Sequence, residues 1–354
     1  MTYIMRIHTP TFSRRPVPLL FTTLLVLTAF STALQGASFP SEYELLRKWP
    51  PAALTAMTSG GQPDEHGFVG FHRRYNTWFE SGMQRSGCWY MIGGVVAGDV
   101  ARTEDGWRSV DTTFSKQLED GGFLSNPNPG RDHKQSFDER VETAFFYLQE
   151  LGHAILVIRS SPMEARFHDR IAALEPKIDR ACAFVKSGYS GIIERSSKAA
   201  NRIFIAAKAF GLCGRVLNNK DYTATSKKLV DVALGLRDKD GVFVENRGRD
   251  SSYNAVSLLM GQVLALHQPD PKLDAAMQLA MGWQRTRIQP TGEVTTAGNS
   301  RTGLGQEKSL GGGTKKVNYN EVALALCYYG STHDEPALFE LAEKVRTWES
   351  RAPH

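Results

Sequence analysis

The sequence predicts an all-α chain, an α/α toroid (an incomplete or complete α/α barrel) with short β-hairpins in its loops. Two observations lead there. Apolar residues recur with the helical period through long segments of the 354-residue chain. Between those segments stand short glycine turns, each followed by an aromatic or aliphatic residue, several of them roughly fifty residues apart. That spacing suits two helices and two connections, and helical pairs stacked in a ring make a toroid.

The elements follow in order. The N-terminus carries Arg6, Arg14 and Arg15, then an uncharged apolar run at 19–34, then small residues. This is the pattern of a secretory signal peptide spanning 1–37. The run is shorter than the ~20 residues that cross a bilayer comfortably, so cleavage is expected rather than anchoring. The remaining 38–354 form one catalytic domain, and no later segment is long and apolar enough to span. The expected product is a secreted or periplasmic monomer, free of the membrane after cleavage.

Helical period places helices at 41–57, 107–118, 137–157, 161–184, 199–217, 224–236, 252–266, 272–288, 319–329 and 335–348. The turn motif reads Asp120-Gly121-Gly122-Phe123 and Asp240-Gly241-Val242-Phe243. Looser echoes are His66-Gly67-Phe68, Ser190-Gly191-Ile192-Ile193 and Thr291-Gly292-Glu293-Val294. In such a ring the inner helices start at the loop end, so their N-termini and the preceding loops surround one mouth.

Cys88, Cys182, Cys213 and Cys327 are scattered, with no metal-ligand spacing. Three sit in apolar helical contexts and read as buried thiols, with one disulfide open as the alternative. The formal net charge of +5 suits an anionic polysaccharide as partner. Nucleic acid is not expected, since no basic cluster interleaves with aromatics. No cofactor or metal is expected either: the chain has no GxxxxGK[ST] phosphate loop and no HExxH.

The chemistry-bearing stretch is Asn246-Arg247-Gly248-Arg249-Asp250-Ser251-Ser252-Tyr253, a loop entering a helix. Asp250 or Ser251 would cap that helix. Tyr253 would lie in its first turn, where the helix end favours an anion. A cation beside a phenol favours the phenolate, which can take a proton from a carbon next to a carboxylate. Asn201, early in an apolar helix and followed by Arg202, could donate an amide hydrogen bond to a substrate carboxylate. The long glycine-rich segment at 297–319 offers Asn299, Arg301, Lys316 and Asn318 for sugar contacts. Tyr75 and Trp78, with Asn76, could stack on a sugar ring. His153 reads as a core or surface histidine.

At Arg247-Gly248-Arg249-Asp250-Ser251-Ser252-Tyr253, preceded by Gly241-Val242-Phe243-Val244-Glu245, and again at Gly298-Asn299-Ser300-Arg301-Thr302, the chain resembles exported α/α-toroid polysaccharide lyases. The likeness is to the glucuronan (cellouronate) and alginate lyase-like type, over most of 38–354. The chain lacks the histidine-plus-tyrosine signature of several other alginate lyase families. The resemblance implies β-elimination at a 4-linked uronic acid. Arg247 and Asn201 would neutralise the substrate carboxylate. Tyr253 would be the base and, for syn elimination, also the acid. Arg249, Arg301, Asn299, Lys316, Asn318, Tyr75 and Trp78 would bind substrate. Two other readings stay open. A glycoside hydrolase would draw a carboxylate pair from Glu245, Asp250, Glu293 and Asp120. A glycan-binding protein would do no chemistry.

Overall fold

The computed structural model describes residues 41–58, 61–69, 80–124, 135–305 and 313–351. The expected leader at 1–37 and the candidates Tyr75, Asn76 and Trp78 lie outside the described residues. Among those described, thirteen helices and one two-stranded hairpin occur. In chain order they are α1 (Glu42–Leu46), α2 (Pro51–Thr58), α3 (Ser81–Ala97), α4 (Val100–Phe114), α5 (Phe137–Arg159), α6 (Glu164–Ser187), α7 (Tyr189–Arg195), α8 (Ala200–Val216) and α9 (Lys220–Leu234). The hairpin β1 (Val244–Glu245) and β2 (Gly248–Arg249) follows, then α10 (Ser251–His267), α11 (Pro271–Thr286), α12 (Tyr319–Thr332) and α13 (Ala337–Arg351).

Helices α2, α3, α5, α8, α10 and α12 each pack on the next, and α12 returns to α2. The inner ring therefore closes. Helices α4, α6, α9, α11 and α13 lie outside it, against α3, α5, α8, α10 and α12 in turn. This is an α/α toroid, as the periodicity predicts, in its complete form. Inner helices have protein on most sides and are apolar nearly all round, whereas outer helices bury one stripe. In α8 nearly every residue from Ile203 to Gly214 is buried; in α6 only positions such as Phe167, Ile171, Leu174 and Ile178 are. One expectation needs correction. Helix α5 has the length and mean hydropathy, 1.2, to cross a membrane by composition alone, but 78% of that stretch is buried inside the ring.

The glycine turns are one structure repeated. After α4, α9 and α11 the chain makes isolated bridges Gln117–Phe123, Arg237–Phe243 and Ile288–Val294, antiparallel and identical in spacing. A side-chain oxygen of Asp120, Asp238 or Thr291 accepts a backbone N–H two residues on. Gly121, Gly241 and Gly292 hold φ of +89°, +85° and +93°, which glycine adopts without steric cost. Each also touches the next outer helix. A Cβ at Gly121 would lie 2.2 Å from the Arg180 carbonyl oxygen, and one at Gly292 2.1 Å from that of Lys344. The motif is thus the joint between successive helical pairs. His66-Gly67-Phe68 repeats it, with Asp64 Oδ1 accepting from His66 and Phe68.

Three expectations are corrected. The Ser190-Gly191-Ile192-Ile193 echo is no turn but helix α7. The 41–57 segment is two helices, divided where Pro50 and Pro51 break the hydrogen-bond ladder. Helix α3 was not expected at all, because four glycines interrupt its pattern. Those glycines let α4 close in: Cβ atoms at Gly87 and Gly94 would meet the hydroxyls of Ser109 and Thr103 at 2.6 Å. The four cysteines are buried free thiols, and burial pushes the Cys88 thiol well above its ordinary range.

Candidate active site

Tyr253 is positioned by a dense set of bonds around one carboxylate. Asp250, fully buried, caps α10: its Oδ1 accepts from Ser252 N at 3.0 Å and Tyr253 N at 3.2 Å. Its Oδ2 accepts from Arg301 N at 3.1 Å and Thr302 N at 2.6 Å. Asn299 adds a second tie, accepting from Ser251 N at 3.0 Å and donating to Ser251 Oγ at 3.1 Å. Ser252 Oγ accepts from Asn318 N at 3.0 Å. The start of α10 and both halves of the 297–319 segment thereby form one rigid platform.

From that platform Tyr253 projects into a cavity of about 640 Å³. Its hydroxyl accepts a hydrogen bond from the Lys315 ammonium. The Lys315 nitrogen stands 4.7 Å from the ring centroid and the Arg301 guanidinium 4.5 Å. Arg301 is itself paired with buried Glu245. Burial lifts the Glu245 carboxyl above its usual value although Arg301 opposes this.

The opposite walls come from the N-caps and first two turns of the other inner helices. They supply Glu80, Arg85, Glu139, Glu142, Asn201, Arg202 and Glu321, with Arg195 from α7 and Lys316 beside Lys315. Helices α3, α5, α8, α10 and α12 all bring their N-terminal turns to this cavity, so their partial positive ends converge. Counting side chains, six cations (Arg85, Arg195, Arg202, Arg301, Lys315, Lys316) face four carboxylates (Glu80, Glu139, Glu142, Glu321), a difference of +2. Arg202 shares its charge with Glu142 at 3.3 Å. Asn201 is buried, and its Oδ1 has no partner among the described residues. Burial raises the Glu80 carboxyl, and it raises Glu321 to about 7 against the pull of Arg85.

The structure brings Tyr253, Asn201, Arg301, Lys316 and Asn318 to one cavity. Arg247 is not among its walls. It occupies the exposed tip of the β1–β2 hairpin, with Asn246 and Arg247 at φ of +51° and +67°. Two-residue hairpins of this twist need two left-handed residues, and Asn246 and Arg247 supply them. Arg249 is likewise engaged elsewhere, bonding Asp238 and Asp240 across the hairpin and its turn. Asn299 supports the platform from within, and Asn318 Oδ1 caps α12. Of the carboxylates considered for hydrolysis, Glu245 is paired with Arg301, Asp250 is a buried cap, Asp120 pairs with Arg140 and Glu293 is exposed. None of the four lines the cavity.

Lys315, Arg85, Glu80, Glu142 and Glu321 were missed in the sequence. Only Glu321 had a legible sign, three residues after the cap Asn318. Among the described residues no group of three or more His, Cys, Asp or Glu could hold a metal ion. Another cavity, of about 420 Å³, lies between α2, α12 and α13, walled by Ala52, Ala53, Ala323, Leu324 and Phe339. It lacks the convergent polar groups of a reactive site.

The sequence matches no protein-family model and no curated protein. Among solved structures it is similar to a crystal structure of D-mannose isomerase, at 10% identity and a TM-score of 0.47, over 89% of this chain and 88% of that one.

Proposed function

We propose that the cavity binds an acidic polysaccharide and cleaves a 4-linked uronate by β-elimination. The observation that carries this reading is Tyr253, whose hydroxyl accepts from Lys315 while Arg301 lies against its ring. A cation bonded to the phenol oxygen stabilises its phenolate form. Five helix N-termini and a cationic excess favour a carboxylated substrate in the same space.

In this reading the uronate carboxylate sits among Arg202, Arg301 and the Asn201 amide, which spread the charge that develops on deprotonation. The Tyr253 phenolate removes the C5 proton. The C5–H electron pair forms the C4–C5 double bond, the C4–O4 bond breaks, and O4 takes the proton from Tyr253. A single residue can serve as base and acid only if both atoms lie on one side of the ring.

One observation favours a second reading. Glu321, raised to about 7 by burial, shares the cavity with Glu80 and Glu142. Glycoside hydrolysis uses two carboxyls in one cavity, one of them held protonated by burial.

The two readings differ in product. Elimination leaves a conjugated double bond that absorbs in the ultraviolet; hydrolysis leaves none. The test is absorbance during incubation with glucuronan, alginate, pectate and hyaluronan. Absorbance rising on a 4-linked polyuronate is expected. New reducing ends without absorbance would replace elimination by hydrolysis, and binding without either product would leave a glycan-binding protein.

A further inference from the structure

The cavity does not end at Tyr253. A smaller pocket of about 190 Å³ continues below it, sharing Arg85, Phe146, Ile205, Asn318 and Glu321 and adding Trp89, Gln149 and Met260. The new residues lie about one helical turn further along α3, α5 and α10, or roughly 6 Å deeper at 1.5 Å per residue. The added residues Trp89, Gln149 and Met260 take no part in the elimination chemistry.

We propose that this lower pocket is a terminal subsite that holds the one pyranose ring at a chain end. The enzyme would then remove units from an end and not cut within the chain. The proposal rests on the elimination reading for its reaction, but not for its binding.

Three observations carry it. The first is the wall. Gln149 is 2% exposed, and its Oε1 has no hydrogen-bond partner among the described residues. Buried amide oxygens are nearly always paired, so an unpaired one on a pocket wall marks a place for a donor. A sugar hydroxyl is such a donor. Trp89 is half-buried beside it, its edge against the His153 ring at 5.2 Å, and offers an apolar surface to a sugar ring.

The second is size. About 190 Å³, against about 640 Å³ for the cavity above it, makes this the narrow end of one continuous space.

The third is the floor. Beneath the pocket, Glu150 accepts from Lys208 at 2.9 Å and bonds His153 at 3.1 Å. Glu42 then bonds His153 at 2.6 Å, Tyr328 at 2.7 Å and His267 at 2.7 Å. Glu42, Glu150, His153, Lys208 and Tyr328 are all at most 4% exposed. A polymer threaded through the ring would have to break this network, so the axis is blind.

The experiment measures calorimetric binding of D-glucuronate to the full chain, to Gln149→Met and to Asn320→Phe, alongside the products from a defined hexauronate. Methionine keeps the length of Gln149 and removes the acceptor. Phenylalanine at half-buried Asn320 fills the pocket, and stands in if Gln149→Met does not fold. Expected are at least tenfold weaker monosaccharide binding in either variant and one-unit products from the first turnovers. No monosaccharide binding, binding unchanged in both folded variants, or an early ladder of internal fragments would overturn the subsite. Binding lost in the variants, with no unsaturated product from any polyuronate, would leave the subsite standing and sink the elimination reading alone.

Discussion

The two ends of the ring use the same residue types to opposite effect. At the closed end, Glu42, Glu150, His153 and Lys208 are buried and spent on one another. Burial alone would raise Glu150, but the Lys208 ammonium and the His153 ring outweigh it and hold the carboxyl at about 2. At the open end, burial wins: Glu321 rises to about 7 despite Arg85. Two direct partners, Lys208 and His153, hold Glu150 ionised. A buried carboxyl with less compensation than that rises, as Glu245 also does despite its single bond to Arg301. Matched charges lock a fold, and mismatched ones are available to a substrate.

The comparison breaks most visibly at Tyr253. Tyr253→Phe removes the hydroxyl that Lys315 contacts and keeps the ring under Arg301. Turnover on the responsive polyuronate should fall roughly 10²- to 10⁴-fold, the range for a lost acid–base group, with the melting temperature nearly kept. A structural tyrosine would show the reverse, a lower melting temperature with turnover retained, and that result would remove Tyr253 from the chemistry.

At the closed end the expected loss is of stability. Glu42→Gln leaves His153 and His267 without their carboxylate, and breaking a buried pair of this kind costs about 3–5 kcal/mol. Urea denaturation reads it directly. Turnover per folded molecule should stay within about twofold, because Glu42 lines neither the cavity nor the pocket. A large kinetic defect in fully folded Glu42→Gln would mean that the two ends are coupled.

The network also sets a pH window. Glu42 and Glu150 lie below their ordinary value of 4.5 when folded. Their contribution is therefore complete above pH 4.5 and is lost as pH falls towards the folded values. For His153, burial would lower the ring's pKa, but Glu42 outweighs it and the folded value lies above 6.5. Its contribution is complete below pH 6.5 and is lost as pH rises through the folded value. Urea midpoints should peak between these limits, and the acid limb should shrink in Glu42→Gln. A flat profile from pH 3 to 8 would contradict the ionised network.

The smallest effect is at Arg247. Its left-handed backbone costs a side-chain-bearing residue about 1 kcal/mol, so Arg247→Gly should stabilise by about that amount. Turnover should be unchanged, measured beside Arg301→Ala, which should lose it. Turnover lost in Arg247→Gly would restore the hairpin tip to the site.

Much of the ring was legible in the chain. Apolar period places most of its helices, since a helix must bury a stripe to be stable. The aspartate–glycine turns declare the joints, since only glycine adopts their φ beside a neighbouring helix. Asp250 was readable as a cap and Tyr253 as a first-turn residue, because capping is local. Helix α3 was not readable: its glycines look like breaks until α4 is laid against them. The partner of Tyr253 was not readable either. Arg247 is six residues away and Lys315 sixty-two, yet the first stands at an exposed hairpin tip and the Asp250 platform brings the second in. Local rules fix where a helix starts and which way its first turn faces. Which cation meets a side chain across a cavity depends on long-range closure of the ring, and only the tertiary structure decides that.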